Sequence, residues 1–402
     1  MKLLRRARGP VQVDQTQDYR GLGYSDQRKI ARDSNGILYL AYRKKYRING
    51  LLRYQIFVAR SSDSGGAWTV LNDAPIARVG DYVQRVPAIA VSADDLIHVV
   101  WYGNDADNTA DNQRQIKYAR STDAGASWSR WLNLAAIAGY SGQRLWQEHP
   151  CIAVHGRAVY LVWQGLDATY QTASQVKFAA SLDGGSSWGA WQNVSPVSMG
   201  NRSRPTLVAT NDGARLYILA YGDVGGRQQI LWTSSTDGGN TWASWASVSP
   251  ADSDQRHVSV ASDSQGALHA VWRQADATGV SRICYARYDG RAWSARALVG
   301  ASQQANQFFP SLTVTSDDTL WVAWTATANR SGYPADDPVA GQISYVSMPR
   351  GGRWSSPALL ANGGDRSIYV SLRRNGPDND NAIDLVWLNN VGVNLPIYHT
   401  RL

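Results

Sequence analysis

The chain has 402 residues, 44% of them hydrophobic and 18% charged, enough apolar material for a folded core and too little charge for a disordered segment. Forty Lys and Arg against 32 Asp and Glu leave a net charge of +8, which suits an anionic partner; the cations are scattered, and no basic helix, zinc spacing or aromatic RNA signature points to nucleic acid. No apolar run reaches the roughly 18–20 residues of a membrane span, and the basic start "MKLLRRARGPVQV" lacks the apolar stretch of a secretory signal.

Residues 1–9 read as a basic arm, in which Arg5, Arg6 and Arg8 are a candidate contact for a protein partner. Residues 10–14 have strand character. From residue 19 onward one unit repeats seven times within a single expected domain. Each unit opens with an apolar strand and a short Asp/Gly/Asn turn. A second strand then ends on an aromatic residue: "GILYLAY" at Tyr42, "LIHVVW" at Trp101, "AVYLVW" at Trp163, "RLYILAY" at Tyr221, "ALHAVW" at Trp272, "TLWVAW" at Trp324 and "AIDLVW" at Trp387. A third strand follows in every unit, as in "QIFVAR" from Gln55, "QIKYAR" from Gln115 and "QISYVS" from Gln342.

After the third strand comes a turn of the form Ser-x-Asp-x-Gly-x-x-Trp. It stands at Ser61–Trp68, Ser121–Trp128, Ser181–Trp188 and Ser235–Trp242, and decays to "YDGRAW" and "PRGGRW" in later units. The Asp can accept bonds from backbone N–H groups two or more residues on, the Gly supplies a positive φ, and the Trp packs between sheets. A fourth strand holding the Trp is expected to close each unit.

Alternation with period two, and spacings too short for crossover helices, predict four antiparallel strands per unit. The fold class is therefore all-β: a seven-bladed propeller of four-stranded blades. The seventh unit stops at its third strand, so Val11–Val13 is expected to complete it and close the ring. Cys151 and Cys284 read as core residues rather than a disulfide. The six histidines have no ligand spacing, and no cofactor is expected.

If the repeated turns join strands three and four, the opposite face carries the loops between strands two and three. These are long: residues 43–54, 102–114 and 325–341. Long loops on a rigid scaffold commonly carry function. The inner strands start on that same face, at or near Arg28, Arg85, Glu148, Arg204, Arg256, Phe308 and Arg366. A ring of arginines would suit an acidic sugar through paired hydrogen bonds; the alternative is that these arginines only bond carbonyls at the channel mouth. Glu148 is the chain's single glutamate, readable as a functional carboxylate or as a partner for a neighbouring Arg.

The repeated turns resemble the Asp-box, or bacterial neuraminidase repeat, of sialidases and related β-propellers. In that family the boxes lie away from the active site, so the resemblance implies a structural role for Asp63, Asp123, Asp183 and Asp237. "QRVPAI" is similar to the Arg-Ile-Pro element of sialidases. The resemblance then implies Arg85, Arg204 and Arg256 as a clamp on a substrate carboxylate, Asp105 or Asp107 as acid/base, and Glu148 activating Tyr333 as nucleophile. Sialidases of this kind are six-bladed, whereas similar seven-bladed propellers are lectins. The expected function is thus recognition of glycans, sialylated or otherwise acidic, with Arg28, Arg85, Arg204, Arg256 and Arg366 binding the ligand. Exo-sialidase activity and an adhesive role in a surface or phage assembly are the alternatives, and the family resemblance implies an extracellular or virion setting.

Overall fold

The alternating segments pair into seven four-stranded antiparallel sheets. The computed structural model describes the chain apart from residues 1–8, 25–26, 135–144, 198–199, 211–212, 214, 251–252, 276–277, 301–304, 328–339, 361–366 and 373–380 and the side chains of Ile368 and Tyr369. In blade I, Ile30–Arg32, Leu38–Ile48, Leu51–Ser61 and Thr69–Val70 pair in that order from the axis outward. Blades II to VI repeat the pattern, with inner strands Gln84–Val91, Gln147–His155, Arg202–Ala209, Gln255–Ser262 and Asn306–Val314. Blade VII combines Ser367–Leu372, Asp384–Asn389 and Leu395–Arg401 with Val11–Thr16 as its outermost strand. The expected closure is therefore present, a little longer at its C-terminal end than expected, and Val11 pairs with His399.

Apolar side chains of adjacent blades interlock into clusters between the sheets. Trp101, Trp163, Trp272, Trp324 and Trp387, all at matching second-strand positions, are fully buried. Each removes enough surface from water to contribute roughly 4–6 kcal/mol of transfer free energy, an upper value for an extended unfolded chain. The indole Nε1 of Trp101 donates to Gln84 Oε1 and that of Trp163 to Gln147 Oε1, both at 2.8 Å, so in these two blades the polar edge of the buried ring is satisfied.

The repeated turns do join the third strands to the fourth. In the turn from Ser181, Asp183 Oδ1 accepts bonds from Ser181 Oγ and the N–H groups of Ser186 and Ser187. Bonds from the hydroxyl and N–H of Ser127, and from the Ser121 hydroxyl, hold the exposed Asp123 carboxyl down at about 2. One expectation is corrected. The Trp of each turn does not lie in the outer strand but precedes it, as with Trp68 before Thr69–Val70 and Trp188 before Gln192–Asn193. Trp188 stands edge-on to Tyr118 of the preceding blade, centroids 4.9 Å apart. The ring faces across the blade interface, where more apolar area is available than in a two-residue edge strand.

Candidate functional site

The face opposite the repeated turns takes its shape from a defect written into almost every blade. The pairing of first and second strands slips at Arg85/Ala88, Glu148/Cys151, Ser203/Thr206, Arg256/Ser259 and Phe308/Ser311. The residue inside each slip has a positive φ: Val86 (42°), His149 (53°), Arg204 (47°), His257 (56°) and Phe309 (51°). In four of the five the next residue is proline, at positions 87, 150, 205 and 310. Proline gives the ladder no N–H, so the inner strand bulges there and its side chain is re-aimed.

The re-aimed side chains converge on Tyr24, delivered by the segment that runs from the outer strand of blade VII to the inner strand of blade I. The Tyr24 ring lies 5.5 Å from His149, 6.0 Å from His257 and 5.6 Å from Phe309. The Arg204 guanidinium lies over the same ring at 3.6 Å. Four blades thus meet one tyrosine at this end of the channel. Beneath it the buried Arg28 donates to Ser311 Oγ at 3.2 Å, to the Val260 carbonyl at 3.1 Å and to the Leu372 carbonyl at 3.4 Å. Arg28 ties three other blades together from inside the channel. On the far side of Arg28 the channel opens as a cavity of about 460 Å³ toward the turn-bearing face, walled by Ile30, Ile89, Ile152, Val154 and Ala209.

Around Tyr24 the polar groups form a continuous arc. Arg85 Nη2 lies 3.2 Å from Asp111 Oδ1, and Arg114 Nη1 lies 3.4 Å from that same oxygen. Arg114 Nη2 bonds Glu148 Oε1, and Glu148 Oε2 lies 3.7 Å from His149 Nε2. His149 is pushed well below its ordinary pKa by burial, then by the charges of Arg204, Lys29 and Arg114, so it is neutral and Glu148 has Arg114 as its cationic partner. The arc continues through Tyr24 to Arg204, whose Nη1 donates to His257 Nδ1 at 3.0 Å, fixing the proton of His257 on Nε2. Arg256, next along the strand, lies 3.4 Å from Asp254.

Of the expected residues, Arg85, Glu148 and Arg204 therefore share one arc and Arg256 flanks it. Arg28 lies below, in the channel. Asp107 is exposed on the loop after the second strand of blade II, its N–H bonded to Asp105 Oδ1 at 3.0 Å. Asp105 itself is buried and bonded to Lys117, an arrangement repeated one blade on, where Lys177 lies 2.6 Å from Asp167 and 2.8 Å from Asn193 Oδ1. Repetition identifies it as a scaffold element. Tyr333, Arg366 and the arm residues Arg5, Arg6 and Arg8 lie outside the described residues. Burial raises the phenol pKa of Tyr102, the residue paired with Arg85, and Glu148 raises it further, the opposite of what activates a nucleophile.

Sequence reasoning missed Tyr24, Asp111, Arg114, His149 and His257. The proline that recurs after four of the bulges was the available signal.

Neither the family models nor the curated proteins compared with the sequence yield a match. Solved structures do. The α-L-arabinanase of Penicillium chrysogenum, in complex with arabinobiose, superposes with a TM-score of 0.56 at 12% identity over 99% of this chain and 98% of that one. A Hadza microbial sialidase gives 0.52 at 17% identity over 87% and 72%. Trypanosoma rangeli sialidase gives 0.53 at 14% identity over 98% and 60%. At such identities the likeness speaks for the fold.

Proposed function

We propose that the protein binds acidic glycans at the arginine arc of this face. One observation carries the reading: the guanidinium groups of Arg85 and Arg114 converge on a single carboxylate oxygen, and the Asp111 that supplies it has a side chain 79% exposed. Two arginines already held in position for a carboxylate, by a residue that water can displace, suit the carboxylate of an incoming sugar. Arg204, stacked on Tyr24, adds a third cation and an aromatic surface beside it. The folds of a sialidase and of an arabinanase bound to a disaccharide support a carbohydrate as the ligand class. The repeated turns support a place among Asp-box propellers, a single propeller domain over residues 1–402, and the seven blades favour the lectin branch.

In the hydrolytic reading, Glu148 and Arg85 in one arc supply part of a sialidase site, with Asp107 as acid/base and Tyr333 as nucleophile. An NMR time course with sialyllactose separates the two. Saturation transfer to the sugar without released sialic acid is the expected result, lost in Arg85→Ala and Arg114→Ala. Release abolished by Glu148→Gln would establish the enzyme instead. No transfer and no release would refute both readings.

A further inference from the structure

We propose that the long hairpin of blade I docks the protein on an anionic lipid bilayer through its apex. In blades II and III the pairing of second and third strands ends at Gly103↔Gln115 and Gly165↔Gln175. In blade I the equivalent pair is Lys44↔Gln55, and the ladder runs on through Lys45↔Tyr54, Tyr46↔Arg53, Arg47↔Leu52 and Ile48↔Leu51. Four further pairs carry the apex about 14 Å beyond the blade. Asn49 and Gly50, with φ of 48° and 81°, make the tight two-residue turn that matches strand twist, so the projection is a stiff ribbon.

Its base is fastened on both sides. Tyr54 Oη donates to the Gln17 carbonyl at 3.3 Å and Arg53 Nε to the Asp81 carbonyl at 2.7 Å. Beside the turn the ribbon is apolar: Leu51 is 44% and Leu52 50% exposed, and Ile48 pairs with Leu51. Arg47 stands level with Leu52, Tyr46 with Arg53 one pair further from the turn, and Lys45 with Tyr54 one pair beyond that; Arg47 and Lys45 are exposed. Between residues 34 and 62 there are six Lys or Arg and not one Asp or Glu.

Exposed leucines beside the turn, with cations and tyrosines interleaved over the next pairs, suit a bilayer interface with acidic headgroups. Adjacent strand residues point to opposite faces, so Leu51 and Leu52 make the tip apolar on both faces of the ribbon. Immersion covers both faces, whereas a flat protein surface would cover one and an acidic polymer in water neither. The hairpin joins second and third strands, so it projects from the face that carries the arginine arc.

The test uses the full chain and vesicles of phosphatidylcholine with or without phosphatidylserine, sedimented together. Binding should be at least roughly thirtyfold tighter with phosphatidylserine, from two to three basic residues near the surface, and should fall with salt. Leu51→Ser with Leu52→Ser should weaken it about tenfold or more with urea unfolding unchanged. Lys45→Gln with Arg47→Gln should weaken it comparably and flatten the salt dependence. A polarity-sensitive dye on Leu51→Cys, Cys151 and Cys284 being buried, should shift to shorter wavelength on the acidic vesicles. Failure to sediment with phosphatidylserine vesicles, indifference to both pairs of substitutions, or an unshifted dye overturns the proposal. So does retention on an acidic polysaccharide when acidic vesicles are ignored. These vesicles carry no sugar, so the outcome is independent of the glycan site.

Discussion

Asp111 competes with any ligand for Arg85 and Arg114, and replacing it with Asn should tighten binding of an acidic sugar. Its Oδ1 lies 3.2 Å from one guanidinium and 3.4 Å from the other, but its side chain is 79% exposed against 30% and 20% for the arginines. Exposed ion pairs contribute about 0.2–1 kcal/mol each, so surrendering two of them to the ligand costs about 0.4–2 kcal/mol. Removing that competition corresponds to an affinity gain of roughly two- to thirtyfold. Asn keeps the size of the side chain. The first-turn bond from the Ala110 N–H to Gln113 Oε1 does not involve Asp111, so urea unfolding should move by less than about 0.5 kcal/mol. Isothermal titration with sialyllactose at two salt concentrations reads the effect, which should shrink at the higher one. Weaker binding in Asp111→Asn, or an affinity that neither Asp111→Asn nor Arg85→Ala changes, would refute the claim that this pair receives the ligand.

Three predictions concern the scaffold. Asp167→Ala leaves the Lys177 ammonium, whose side chain is 0% exposed, without its carboxylate, and urea unfolding should show a loss of about 3–5 kcal/mol, much of it recovered when Lys177→Met is added. Gly185→Ala would set a Cβ 1.8 Å from the Tyr118 hydroxyl at a φ of 76°; it should lose at least about 2 kcal/mol, against about 1 kcal/mol for Gly266→Ala, where φ is 80° and the space is open. Burial holds His98 down at about 4 from an ordinary 6.5. Between those values the unfolded chain takes up a proton that the folded chain refuses, so stability should fall as pH drops through this window, by about 3 kcal/mol from this residue. Unfolding of His98→Asn across the same range should lack that part of the slope.

The blades were legible in the sequence because what makes them is local. Alternation specifies each strand, and a Ser, an Asp and a Gly at fixed spacing specify each turn. Closure was legible because the seventh unit lacked a strand and residues 10–14 could supply it. The arc was only partly legible because the bulges shift the register. Arg204 sits inside its bulge while Arg85, Glu148 and Arg256 sit one residue before theirs, so positions that look equivalent in the repeat face different ways. Arg28 follows no bulge equivalent and turns into the channel. Tyr24 precedes the first strand of its unit, outside the recurring strand and turn patterns, and a periodic reading passes over such a residue. Glu148 as partner of an arginine was foreseen, but Arg114, which fills that role, lies 34 residues earlier on a loop, where only the fold could bring them together.

The strand Val11–Thr16 sets an order on biosynthesis. It leaves the ribosome well before its partner Leu395–Arg401, with blades I to VI and two strands of blade VII made in between. Until that partner arrives, residues 11–16 and the open side of blade I lack the neighbour that covers them, and the nascent ring exposes strand edges throughout that interval. The contact that joins them spans nearly the full chain and is the slowest kind to form. A stop or a frameshift after the sixth blade would therefore release a chain that cannot lock, and aggregation rather than a shorter propeller is its expected fate.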